Sequence, residues 1–227
     1  MKYKRLFIQE NLSISQIFCL SNKDQNYLFN VLRFKIGANF IVFNNLGEYL
    51  AEILSNDGKI KIISSIEKKV LAKELFLYFA IVKPQPLKII FRQGVELGVT
   101  NYCPVITEYT NIKTLNIARY DAIINEALQQ CSRLDKPKIE SAISFDDFIK
   151  VADDVLIADK SGKSIFYYLA ERKSYRGIFI GPEGGLSDSE LKKINHLNLI
   201  SMHQNILRAD TAAIVGVSHL NLLYNME

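Results

Sequence analysis

Apolar and polar positions follow two different rhythms along the chain, and the change falls near residue 70. The first stretch holds short apolar runs of about strand length. Tyr3–Ile8, Phe40–Phe43, Tyr49–Leu54 and Lys59–Ile66 read as strands, the last three separated by turn sequences at Asn44-Asn45-Leu46-Gly47 and Asn56-Asp57-Gly58. Asp24 to Phe34 instead places Tyr27, Leu28, Val31 and Leu32 at helical spacing, with Gly37 beyond as a stop. One helix beside a meander joined by Asn/Asp-Gly turns predicts a small β-barrel or sandwich.

From Leu75 strands and helices alternate. Leu75–Val82 is continuously apolar, as a strand buried on both faces requires. A helix over Leu87–Leu97 stops at Gly98, a strand follows over Val99–Thr107, and Ile117, Tyr120, Ile123, Ile124, Ala127, Leu128, Cys131 and Leu134 form a helical stripe that Pro137 terminates. Val155–Ala158, Gly177–Ile180 and Leu197–Ser201 are further strands, interleaved with helices near Ser164–Arg172 and Asp188–Ile194. The last helix, about Thr211 to Tyr224, is apolar on most of its surface, which suits a core helix or half of a dimer interface. The pattern predicts an α/β fold with a parallel sheet over 71–227, after a β-rich domain over 1–70.

Composition sharpens this picture only in places. With 227 residues, 48% hydrophobic and 23% charged, the chain can bury a substantial core, which excludes disordered and fibrous classes. No apolar run approaches the ~18 residues of a membrane span. The basic N-terminal start lacks the apolar segment of a secretory signal. Cys19, Cys103 and Cys131 are odd in number, widely spaced and in apolar settings, which predicts buried reduced thiols in a cytoplasmic protein without a metal. Charge is informative once divided. Residues 1–70 hold 10 Lys/Arg against 6 Asp/Glu while 71–227 hold 18 of each, so the whole excess of +4 sits in the first domain. A basic module before a neutral body suggests a polyanion contact.

Three segments can carry chemistry. In Gly181-Pro182-Glu183-Gly184-Gly185-Leu186-Ser187-Asp188-Ser189-Glu190 a buried strand runs into three glycines and then a capping box. Glycines at the carboxyl end of a parallel strand let a ligand approach the backbone. The segment matches neither a Walker loop nor a dinucleotide fingerprint. Asn205-Ile206-Leu207-Arg208-Ala209-Asp210-Thr211-Ala212-Ala213 again joins a strand to a helix, with Asp210 or Thr211 able to cap it. Arg208 in an otherwise apolar stretch asks for an anionic or planar partner. Glu126-Ala127-Leu128-Gln129-Gln130-Cys131-Ser132-Arg133 carries a polar helix face.

Together with Glu96-Leu97-Gly98-Val99, these blocks in this order resemble the signature of the RsmE family, 16S ribosomal RNA methyltransferases that make 3-methyluridine and belong to the SPOUT superfamily. The resemblance covers essentially the whole chain, including an N-terminal barrel similar to the PUA RNA-binding fold. It implies a SPOUT-type parallel sheet with a C-terminal trefoil knot, S-adenosylmethionine as cofactor, a homodimer, and 16S rRNA or the small ribosomal subunit as partner, without membrane attachment. The cofactor contacts it implies are Leu156, Ile157 and Ala158; Ile180, Gly181, Pro182, Glu183, Gly184 and Gly185; and Ile206, Leu207, Thr211 and Ala212. Asp210 stands where the family usually has Glu, Gln93 where it usually has Lys, and Met202-His203-Gln204-Asn205 replaces a Leu-Gly pair.

Methylating N3 of uridine needs its proton removed and the resulting negative charge stabilised. Arg208 is the candidate cation, and Asp210 or Glu183 the candidate proton acceptor. Lys2, Lys4, Arg5, Arg33 and Lys35, with Arg92 and Arg133, are the candidate RNA contacts. Two alternatives stay open on the sequence: another SPOUT RNA methyltransferase acting on a ribose 2′-hydroxyl or a different base, and a non-catalytic RNA-binding or ribosome assembly factor.

Overall fold

The computed structural model describes residues 3–68, 73–171 and 173–224. The expected domain boundary at residues 70 and 71, Lys2 and Arg172 lie outside these. Two compact units pack separately, Met1–Leu71 with Leu128–Lys136, and Ala72–Ala127 with Pro137–Glu227. The expectation of one uninterrupted domain over 71–227 is corrected by the segment 128–136, which packs with the first unit.

The first unit holds β1 (Arg5–Phe7), β2 (Ile17–Cys19), α1 (Asn22–Asn26), β3 (Asn39–Asn44), β4 (Gly47–Ile53) and β5 (Lys59–Lys68) in one sheet of order β1-β3-β4-β5-β2. Its inward positions, Leu6, Phe40, Val42, Ala51, Ile53, Ile60 and Ile62, close over Leu28. The single helix expected over Asp24–Phe34 is in fact α1, capped by Ser21, followed by a π-helical turn over Tyr27–Val31. The Leu32 amide reaches back to the Tyr27 carbonyl, and Arg33 in the left-handed region (φ 57°) folds Phe34 back toward the core. β2 escaped the sequence reading because it is a three-residue edge strand with its side chains largely in solvent. Cys19 on it is exposed, correcting the expectation that all three thiols are buried. Cys103 is buried, and burial pushes its thiol up to about 12, which disfavours the thiolate.

The second unit contains β6 (Phe76–Ala80), α2 (Pro84–Glu96), β7 (Asn101–Ile106), the body of α3 (Ile117–Cys131), the short β8 (Lys138–Ile139) and β9 (Ile143–Ser144), α4 (Phe145–Ile149), β10 (Val155–Ser164), α5 (Ile165–Glu171), β11 (Gly177–Ile180), α6 (Asp188–Ile194), β12 (Asn198–Ser201) and α7 (Ala209–Tyr224). All pairings in the sheet are parallel, in the order β12-β10-β11-β6-β7-β8, with β9 also on β7. Both faces are covered. Tyr78 and Phe179 point toward Phe148 of α4 and Ile194 of α6, whereas Leu77 and Ile178 meet α7. The last helix is a core helix. Ala212, Ala213, Gly216, Val217, Leu220 and Leu223 are buried, and a Cβ at Gly216 would lie 2.5 Å from Ile178 Cδ1. Leu222 remains 52% exposed.

β10 contains an irregularity that bears on the site. Ala158 and Lys163 both align with Ile200 of β12, so residues 159–162 leave the ladder and return to it. Gly162 closes the excursion against the Leu199–Ile200 peptide, where a Cβ would collide with the backbone.

α3 ends at Cys131, three residues before the end of the sequence stripe, because Ser132 adopts φ 61° and turns the chain. The reason lies in Arg5. Its guanidinium donates to the Leu128 carbonyl (2.7 Å) and reaches the Arg133 carbonyl (3.5 Å), satisfying groups around the helix C-terminus. It also pairs with Glu48 through Nε (2.7 Å) and lies over the Phe43 ring at 4.0 Å. Arg5 is 7% exposed. It is a structural residue, and its assignment to RNA is corrected.

Two outcomes are expected from urea unfolding. Arg5→Ala lowers stability by about 3 kcal/mol, because Glu48 and two carbonyls lose a buried partner, whereas Lys4→Ala changes it by less than ~0.5 kcal/mol. Gly162→Ala costs about 1–3 kcal/mol by forcing β10 from β12; an unchanged midpoint would show that the excursion adapts freely.

Candidate active site

The carboxyl ends of β10, β11 and β12 face one cleft. After β11, the chain turns through Gly181-Pro182-Glu183-Gly184-Gly185 with the Gly185 amide bonded to the Pro182 carbonyl (2.9 Å) and Gly185 at φ 74°, a conformation side chains disfavour. The turn ends in the predicted capping box. Ser187 Oγ accepts from the Glu190 amide (3.3 Å), and the Glu190 carboxylate accepts from the Ser187 amide (3.0 Å).

Glu190 does more than cap. It is 5% exposed, and its other oxygen accepts from the Glu108 amide at 2.8 Å, tying the loop after β7 to the start of α6. Ser189 donates back to Glu108 (3.1 Å), and the hydroxyls of Ser187 and Ser189 hold the Glu108 carboxyl below its ordinary range. The glycine loop is thus fixed at its C-terminal end by hydrogen bonds from two strand ends.

The segment after β12 is locally braced. His203 Nδ1 accepts from the Asn205 amide (3.0 Å), and α7 begins with the Ala212 amide bonded to the Arg208 carbonyl (2.7 Å). Asp210 occupies the first turn of α7, where a carboxylate complements the helix dipole, and accepts from the Thr211 amide (3.0 Å). Arg208 Nε stands 3.9 Å from Asp210 Oδ1. The two differ sharply in exposure, 79% for the Arg208 side chain against 14% for Asp210. Arg208 therefore does not sit in an apolar burial site, as its sequence neighbours suggested; it extends into solvent.

The cleft has a cavity volume of about 140 Å³ and a mostly apolar lining. It brings together Ala158, Ile180, Gly181, Pro182, Glu183, Gly185, Ile206, Leu207 and Ala212 of the expected contacts. Leu156 and Ile157 are wholly buried inside the sheet and support the cleft from below; they do not line it. Gly184 lies outside the lining, beside Tyr109, and Thr211 is exposed on α7. The lining also includes Asp159, Lys160, Leu186, Met202 and His203. Asp159 and Lys160 belong to the β10 excursion, which has no signature in hydropathy.

Apolar side chains of Ile180, Leu186, Ile206 and Leu207 suit a heterocycle, glycine backbone offers close amide and carbonyl contacts, and Glu183 and Asp159 suit a cationic centre. Those are the needs of S-adenosylmethionine, with its adenine and sulfonium. Of the expected RNA contacts, Lys4, Arg33, Lys35 and Arg92 are exposed. Arg133 is held by Asp135 through Nε (2.9 Å) and Nη2 (2.5 Å), with its side chain 11% exposed, and is corrected to a structural role.

Comparison with known proteins gives the family of the chain. Residues 69–221 match the family described as RNA methyltransferase domain, and residues 20–67 match the RNA methyltransferase PUA domain. The ribosomal RNA small subunit methyltransferase E of Rickettsia conorii is 32% identical across 98% of this chain and 97% of its own length. Its counterpart from Buchnera aphidicola is 27% identical over 98% of this chain and 94% of its own. A Legionella pneumophila methyltransferase solved with bound S-adenosylmethionine superposes with a TM-score of 0.88 at 25% identity, covering 98% of both chains. The fold of Neisseria gonorrhoeae ribosomal RNA small subunit methyltransferase E is also shared, with a TM-score of 0.85 at 22% identity over 97% of this chain and 98% of that one. The chain belongs to the RNA methyltransferase family that includes the ribosomal RNA small subunit methyltransferases E, the RsmE family.

Proposed function

We propose that this protein transfers a methyl group from S-adenosylmethionine to N3 of a uridine in 16S ribosomal RNA. The observation that carries the reading is the convergence of three strand-end loops, including both signature segments, on one apolar cleft with acidic groups at its wall. When bound, the cofactor supplies an electrophilic methyl on a sulfonium.

The residues divide the remaining work. Ile180, Leu186, Ile206 and Leu207 hold the heterocycle and exclude water, while the Gly181–Gly185 backbone fixes its orientation. Asp210, little exposed and positioned at the start of α7, takes the N3 proton of the uracil. Arg208, extended into solvent, meets the uracil carbonyl edge and stabilises the negative charge left on the ring. Lys4, Arg33, Lys35 and Arg92 neutralise phosphates and give salt-dependent affinity. The reading includes a C-terminal trefoil knot, supported by the central place of β10 between β11 and β12 and by its excursion against β12. It also includes a homodimer, supported by apolar side chains left exposed on the second unit outside the cleft, Phe166 at 76% and Leu222 at 52%. A cytoplasmic setting accompanies a ribosomal substrate; among the described residues no helix is long and apolar enough to cross a membrane.

Calorimetric titration with S-adenosylmethionine, followed by nucleoside analysis of RNA treated with the protein, tests the proposal. Micromolar binding and 3-methyluridine as product are expected; a ribose-methylated product, or no cofactor binding with or without RNA, would overturn it. Arg208→Ala should melt as the parent does, since the side chain is exposed, and retain cofactor affinity. Its turnover should fall about 10²–10³-fold. Normal turnover in that variant would remove Arg208 from the chemistry.

A further inference from the structure

The first unit carries a second concavity, a groove of about 470 Å³ between α1 with its π-turn and the β4–β5 turn. Its volume falls in the range of ligand sites. Asn26, Asn30 and Asn56 present amides along it, over the half-buried rings of Phe29 and Phe34. Asn30 Nδ2 donates to Asn26 Oδ1 at 2.7 Å. That bond fixes the pair so that the Asn26 amide nitrogen and the Asn30 carbonyl oxygen remain as a neighbouring donor and acceptor.

The walls are held together independently of any ligand. Gln25 donates to the Leu20 carbonyl (2.8 Å) and fills the space over Gly58, where a Cβ would lie 2.5 Å from Gln25 Cγ. The Leu20 amide bonds to the Gly58 carbonyl (3.0 Å), and Cys19 Sγ donates to the Asp57 carbonyl (3.1 Å). The turn bearing Asn56 is therefore clamped against the helix, so little ordering remains to be done on binding. Arg33 and Lys35 flank Phe34 in sequence and are exposed; the acidic Asp57, next to Asn56 in sequence, is already engaged by Lys59 (3.5 Å) and Ser55.

We propose that this groove binds an unstacked base of single-stranded RNA. The aromatic rings provide a surface for the base, the Asn26–Asn30 pair meets a base edge that offers an adjacent acceptor and donor, and Arg33 and Lys35 hold the neighbouring phosphates. The proposal deepens the RNA-methyltransferase reading and rests on it for the class of ligand.

The test uses the full chain and two fluorescent decamers, one of uridines and one of the same backbone with abasic sites. The parent should bind the uridine decamer about tenfold more tightly than the abasic one. Phe29→Leu, and separately Asn26→Ala with Asn30→Ala, should each bring the uridine decamer down toward the abasic affinity. The alanine pair favours helix, so folding is preserved even where Phe29→Leu loosens the core. Equal affinity for both decamers in the parent, parental affinity in the alanine double variant, or equal competition by duplex RNA would each overturn the proposal. S-adenosylmethionine affinity, measured on the same samples, separates the two readings: its absence in the parent strikes the methyltransferase assignment, whereas its persistence in variants that have lost RNA strengthens the groove.

Discussion

A parallel sheet covered on both faces admits no unpaired polar group along its strands, and that constraint organises the second unit. Leu156, Ile157, Ile178 and Phe179 are fully buried, so every side chain with chemistry must sit where the strands end. The ends of β10, β11 and β12 lie side by side because β10 is central to that edge of the sheet, and their loops share one cleft as a result. Glu190 makes this arrangement definite. A carboxylate at 5% exposure is costly unless its oxygens are occupied, and they are taken by the Ser187 and Glu108 amides. The bonds that satisfy this buried acid also fix where the glycine loop enters α6.

The parts of the fold legible in the sequence were those that repeat a local rule. β11 and α6 were read to the residue because a continuous apolar run, a glycine turn and a capping box mark their ends unambiguously. The apolar stripe runs past Ser132, beyond the helix end at Cys131, whereas the chain turns at Ser132 and Arg5, more than 120 residues away, meets the Leu128 carbonyl there. Likewise Asp159 and Lys160 entered the cleft through an excursion opposite Ile200, a register event between strands that no window of one strand contains. Short edge strands such as β2, β8 and β9 have too few residues to show a period.

Charge proved legible in sum and not in detail. The excess of Lys and Arg in the first 70 residues is real, but Arg5 contributes its charge to Glu48 and to carbonyls, not to the surface. Arg133 is similarly engaged by Asp135. In both, the planar fork of guanidinium explains the choice of residue: it reaches several oxygens at once, which an ammonium in the same place does less well. Of the candidate RNA contacts among the described residues, Lys4, Arg33, Lys35 and Arg92 remain exposed.

The contrast between Arg208 and Asp210 carries the last step of the argument. Neighbours on one helix start, they lie 3.9 Å apart yet differ more than fivefold in exposure. Asp210 accepts from the Thr211 amide in the first turn of α7, which holds its carboxylate against the helix start. On the proposed reading Arg208 has the opposite requirement, because a cation held rigidly by a close carboxylate would have little charge left to offer an incoming uracil. At 3.9 Å the attraction to Asp210 is weak in water, and an incoming uracil carbonyl can displace it at small cost. On the proposed reading, replacing the family's usual glutamate by Asp210 shortens the carboxylate by one methylene. The shorter arm keeps the acid against its own helix and leaves the guanidinium free to turn toward substrate.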